Sequence, residues 1–221
     1  MSPSIQKIIG ALRQSSIALP QALIFEAASE NTENLDILFN IAIDCAQNNR
    51  LEQASGILNE LAILRKDDPG IFYSLGFIAS LKHEHEKAIA LYDKAIGLNP
   101  QDQAALINKG ASLNELKRYE EALLSCENAL KISPEYPEAW ANKAVGLQML
   151  RRYEEASLSY DKALAYKTDI DWAFGDSLHL KLKLGIWKNH QENIESLKNK
   201  LNSHEKAITP FSALSLIDDG D

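Results

Sequence analysis

Five polar residues recur at one spacing in this chain: Asn40, Ser74, Asn108, Asn142 and Asp176 each stand 34 positions from the next. An asparagine amide donates and accepts at once. Three of the five therefore carry a group that can pair with a peptide backbone whatever side chains the peptide bears. On neighbouring packed helices, about 8–10 Å apart, such groups form a ladder. An extended strand advances about 3.3 Å per residue, so one rung meets about every third residue of a bound segment. The same asparagines also suit a plain structural role, capping or bridging helices or standing in solvent, and sequence alone holds both readings open.

Other residues with chemical potential read differently. His83-Glu84-His85-Glu86 brings together imidazoles and carboxylates that could hold a metal, but it falls in a short turn with no further ligands nearby, so a solvated turn is expected. Cys126 occupies a core place, and Cys45 is far from it in sequence, so both read as small core thiols in a reduced setting. His179 reads as a packing or capping residue. Glu120/Glu121 and Glu154/Glu155 open helices, where the helix dipole favours acids. They do not form an acid–base dyad. No catalytic residue, metal or cofactor is expected, and no strand-turn-helix phosphate loop is present in the sequence.

The elements that must position these residues follow from the 34-residue period. Gly76, Gly110 and Ala144 are in register, as are Ala88, Ala122 and Ala156, and again Ala95, Ala129 and Ala163. The first set suits a close crossing of two helices, A and B, within one hairpin. The last set suits the meeting of a B helix with the next A helix. Large residues at Phe72, Leu106 and Trp140, and at Tyr92 and Tyr160, fill the remaining space. Pro100 and Pro134 end B helices. These residues resemble the tetratricopeptide repeat. The resemblance implies an all-α, right-handed superhelical solenoid of helix-turn-helix hairpins, whose A helices line a concave groove.

The period divides the chain into a degenerate leading repeat or cap over 1–34, four repeats over 35–170 (35–68, 69–102, 103–136 and 137–170), and a partial repeat with capping helices and connector over 171–221. Hairpins are expected at 35–64, 69–97, 103–131, 137–165 and 171–202, within a total of about eleven to thirteen helices. Groove places beyond the ladder bring in Asp36, Tyr73, Phe77, Asn114, Glu138 and Gln148. Tyr73 and Phe77 suit an apolar anchor and equally suit packing against a neighbouring hairpin. A carboxylate clamp of basic residues at the second and sixth places is missing, because those places carry no Lys or Arg. Lys109 and Lys143 stand at the seventh place, facing the helix pair.

Composition narrows the partner. The net charge is −8 and the pI about 5.2, which disfavours nucleic acid and anionic membrane surfaces. No apolar run approaches the roughly 18 residues of a membrane span, and the N-terminus lacks a secretory pattern. The expected partner is a protein or peptide in the groove, in the cytoplasm. The oligomeric state is left open.

From about 171 the text changes. The helix written LHLKLKLGIW (178–187), an acidic amphipathic helix near 194–201 and the segment PFSALSLIDD (210–219) resemble the connector of bacterial O-linked N-acetylglucosamine transferase (Spindly-like) proteins. That family also uses an asparagine ladder to hold substrate proteins, which Ser74 and Asp176 interrupt here. The resemblance implies that the repeats form a substrate-recognition arm, with the glycosyltransferase module outside these 221 residues. The alternative is a free-standing adaptor that assembles complexes.

Overall fold

The computed structural model describes residues 2–14, 21–31, 33–167, 170, 172–186 and 190–202. Trp187 and the 210–219 segment, on which much of the connector resemblance rests, lie outside them. The described residues form twelve α-helices and no strand. These are α1 Pro3–Gln14, α2 Gln21–Glu30, α3 Glu33–Gln47, α4 Leu51–Leu64, α5 Pro69–Leu81, α6 His85–Leu98, α7 Gln103–Glu115, α8 Tyr119–Ile132, α9 Pro137–Met149, α10 Tyr153–Tyr166, α11 Ala173–Lys183 and α12 His190–Asn202. The odd-numbered helices from α3 are A helices and the even-numbered ones are B helices. The chain divides into two compact units, Met1–Asn108 and Lys109–Asp221, and the boundary falls within α7.

In the first unit, Ile5, Ile24, Leu38, Leu58, Leu61 and Ile71 join α1 to α5 in one core. Phe72, Ala88, Tyr92, Ala95 and Ala105 form a second cluster. The small residue at the eighth place of the repeat admits a large neighbour. A Cβ on Gly76 would lie 2.8 Å from the ring of Tyr92, which is 0% exposed. In the second unit, Leu123, Ala144, Leu147, Tyr160, Ala173 and Leu180 pack together. There Gly110 faces Cys126, whose Sγ would lie 2.8 Å from an added Cβ.

Helix starts follow their sequence signals. Asp68 caps α5 by accepting from the Gly70 N–H at 3.0 Å, with Pro69 at the first helical position. At α7 the Asp102 carboxylate accepts from the Ala105 N–H at 3.0 Å. The A-to-B turns repeat one geometry that no single residue type announces. Asn49, His83, Lys117, Arg151 and Gly185, each 34 positions from the next, all have positive φ, between 57° and 73°. At each, the following N–H reaches back to a carbonyl five residues earlier, as in Arg118 N to Leu113 O at 2.9 Å and Ile186 N to Lys181 O at 2.8 Å. This is the Schellman closure of a helix C-terminus.

Candidate functional site

In the first unit the A-helix residues divide into free and engaged ones. Asn40 on α3 is exposed. Ser74, expected as a rung of the ladder, is instead 7% exposed, and its hydroxyl donates to the Gly70 carbonyl of its own helix at 2.8 Å. A serine inside a helix readily makes this i−4 bond, and here it engages the hydroxyl within its own helix. Asn108 is half-buried and donates through Nδ2 to the Tyr73 hydroxyl at 3.1 Å. Tyr73 is itself half-buried. Its ring lies 6.1 Å from that of Tyr92 and 6.5 Å from that of Phe77, nearly parallel to the latter. Tyr73 therefore packs, while Phe77 (41% exposed) and Leu81 (46%) form an open apolar stripe one turn apart on α5.

In the second unit Asn114, expected to line the groove, ties two A helices together. Its Nδ2 donates to the Asn142 carbonyl at 2.9 Å. Its Oδ1 is buried without a hydrogen-bond partner among the described residues, close to Gly146, whose missing Cβ leaves it room at 3.2 Å. Asn142 is half-buried on α9. Asp36 and Glu138 each hold a lysine or arginine of the adjacent B-helix end: Arg65 at 2.7 Å and Lys167 at 3.3 Å. Lys143 turns toward α8, pairing with Glu127 at 2.9 Å.

In the second unit a cavity of about 600 Å³ opens between α9 and α11, with α10 behind it. It gathers Gln148 and Asp176 from the expected places. It adds Val145, Met149, Arg151, Tyr153, Tyr160, His179, Leu180 and Lys183. The Tyr160 hydroxyl donates to Gln148 Oε1 at 3.3 Å. Burial raises the Tyr160 phenol well above its ordinary range, and the charge of Asp176 adds to this. Asp176 is only 4% exposed. Burial lowers the His179 pKa; nearby Lys183 pushes the same way and Asp176 opposes it. The Lys183 ammonium sits 4.0 Å from the Tyr153 ring centre.

Val145 stands at the same ninth place as Phe77, and sequence reasoning had that place in hand. The thirteenth place, which carries Leu81, Met149 and Lys183, and the turn residue Arg151 lie outside the places that the repeat pattern marks for the groove. The remaining chemistry-bearing residues are held locally. Arg118 grips Glu121 through two nitrogens at 2.6 Å, and Arg152 grips Glu155 at 2.7 and 2.6 Å. These forks hold both carboxyls below their usual range. The rings of His83 and His85 meet edge to face, 5.8 Å apart, at the α5–α6 turn. Among the described residues no group of three or more His, Cys, Asp and Glu is placed to hold a metal. Burial pushes the Cys126 thiol up to about 12.

The family described as "Tetratricopeptide repeat" matches residues 69–102 and 104–136. No curated protein sequence matches the chain. Among solved structures, the chain is similar to MamA from Desulfovibrio magneticus RS-1, with 21% identity and TM-score 0.68 over 76% of this chain and 96% of that one. It is similar to Pseudomonas aeruginosa PilF, with 20% identity and TM-score 0.67 over 74% of this chain and 75% of that one. YrrB, described as a TPR protein with an unusual peptide-binding site, matches at 17% identity and TM-score 0.62 over 93% of this chain and 95% of that one. At these identities the similarity establishes the fold: an all-α tetratricopeptide solenoid.

Proposed function

Because residues 69–102 and 104–136 match the tetratricopeptide repeat and the described residues form an all-α solenoid of such hairpins, we propose that this chain is a protein-interaction module that holds extended segments of a partner against its A helices. The observation that carries this reading is the cavity of about 600 Å³ between α9 and α11, with polar and apolar side chains side by side. Mixed lining of this kind fixes a ligand's orientation while burying its apolar groups. Asn40 and the Phe77–Leu81 stripe offer the same combination in the first unit. The description of YrrB as a TPR protein with an unusual peptide-binding site is consistent with this reading. The net charge of −8 favours a protein ligand over nucleic acid or an anionic membrane.

The test is peptide binding by the full chain, read by fluorescence anisotropy across a panel of extended segments. Val145→Arg with Met149→Arg should abolish binding of the tightest segment. Leu158→Arg, on a B helix where Leu158 is 64% exposed, should leave it intact. Equal loss in both variants, or in neither, would count against the A-helix face.

A finer reading makes the chain the recognition arm of an O-GlcNAc-transferase-like enzyme. It rests on sequence resemblance: the segments 178–187, 194–201 and 210–219 and the spacing of the asparagine ladder. The coding sequence after Asp221 tests it: a glycosyltransferase-like continuation supports it, and an immediate stop codon overturns it in favour of a free-standing adaptor.

A further inference from the structure

We infer that the α9–α11 cavity takes a peptide segment in which an aspartate or glutamate lies close to a bulky apolar residue, with the carboxylate at Arg151 and Lys183 and the apolar side chain on Val145 and Met149. This rests on the groove-binding reading above and names the ligand chemistry of that site.

The apolar half of the argument is exposure. Val145 and Met149 lie four residues apart on one face of α9, 37% and 54% exposed. Methionine is flexible and polarisable, and it adapts to different apolar partners. Two large apolar side chains standing together in a concavity form a natural seat for one buried anchor.

The polar half is charge. Both Arg151 and Lys183 are exposed, line the cavity and lack a carboxylate partner among the described residues. Their neighbours are engaged: Arg152 binds Glu155 and Lys181 binds Asp161, each at 2.6 Å. The backbone that carries Arg151 is fixed, and the Lys183 ammonium is held in place. Arg151 sits at the left-handed turn position, φ 59°, its N–H donating to the Gln148 carbonyl at 3.0 Å. Lys183 is anchored over Tyr153. Cations without a carboxylate partner cost little to pair with an incoming one, and a guanidinium pairs with it through two hydrogen bonds. The cavity's one carboxylate, Asp176, is 4% exposed, so a ligand's acid is kept at the rim and its apolar side chain on α9. In a chain of net charge −8, this rim is a local reversal of sign.

The experiment uses the full chain and three short fluorescein-labelled peptides: one with Asp and Leu adjacent, one with Lys replacing Asp, and one with Ser replacing Leu. Anisotropy at low salt should rank the first tightest, and its affinity should fall as salt rises. The double variant Arg151→Glu/Lys183→Glu should weaken the acidic peptide about tenfold or more and bind the lysine peptide better than wild type does. That gain shows that the variant is folded. Equal binding of acidic and basic peptides, with no response to the double variant, overturns the inference and leaves the groove reading standing. Failure of every peptide panel to bind overturns both. A single-stranded oligonucleotide that displaces the acidic peptide at equal affinity also overturns it, by making the rim a general anion site.

Discussion

The amide of Asn108 and the hydroxyl of Tyr73 are hydrogen-bonded across adjacent A helices of the first unit, Nδ2 to Oη, at 3.1 Å. A residue spaced like a ligand-facing rung thus spends a donor on its own fold. Asn108→Ala and Tyr73→Phe should each lower stability by about 1 kcal/mol. The double variant should lose less than the sum of the two. Urea melts of the four proteins check this, and strictly additive losses would mean that the pair is not coupled.

Glycines in helices divide by what their missing Cβ would meet. Gly76→Ala drives a methyl to 2.8 Å from the buried Tyr92 ring. Overpacking of about 1–3 kcal/mol then outweighs the helix propensity gained, about 0.5–1 kcal/mol. At Gly56 in α4 nothing lies within 4 Å, so Gly56→Ala should keep the whole gain and raise the melting temperature. Thermal denaturation by circular dichroism should move the two variants in opposite directions.

The left-handed turns predict a second pair of opposites. Lys117 holds φ 61°, a conformation that costs an L-residue about 1–2 kcal/mol. Glycine removes that cost and returns about 0.4–1 kcal/mol through the freer unfolded chain. Lys117→Gly should therefore stabilise by about 0.5–1 kcal/mol net, and Gly185→Ala, where both terms change sign, should destabilise by about 0.5–1 kcal/mol net. Calorimetry of both variants reads the signs directly.

His179 gives a pH dependence. Its pKa is lowered in the folded chain, first by burial and then by Lys183, against the pull of Asp176. The other ionisable groups lining the cavity are Arg151, Tyr153 and Tyr160. Just below the ordinary value of 6.5 the unfolded chain binds the proton and the folded chain does not. Stability is therefore complete above that value and declines as pH falls toward the lowered one. His179→Gln should flatten that part of the stability–pH curve, and an unchanged slope would place the dependence elsewhere.

The fold was legible because packing selects residue size at a fixed spacing. Gly76, Gly110, Ala88 and Ala122 announce tight crossings through their own identity. The turns at Asn49, His83, Lys117, Arg151 and Gly185 share a backbone geometry, but five different residue types hide it. The ladder was half legible. Spacing placed all five residues on A helices, but whether each meets a ligand depends on local partners. Ser74 bonds its own helix, Asn108 bonds a tyrosine from the preceding repeat, and Asp176 is buried. The cationic rim was missed because Arg151 lies in a turn and Lys183 at the thirteenth place, neither of which the ladder argument visits.

The notch at the eighth place and the side chain that fills it come from two different helices of one hairpin: Gly76 with Tyr92, and Gly110 with Cys126. A duplication or deletion that cut between them would separate a notch from its plug and leave either a hole or a clash. One that moved the whole hairpin would carry both. The heritable unit of this chain is therefore the complete hairpin, and rearrangements of its gene should survive only when their breakpoints fall between B and A helices.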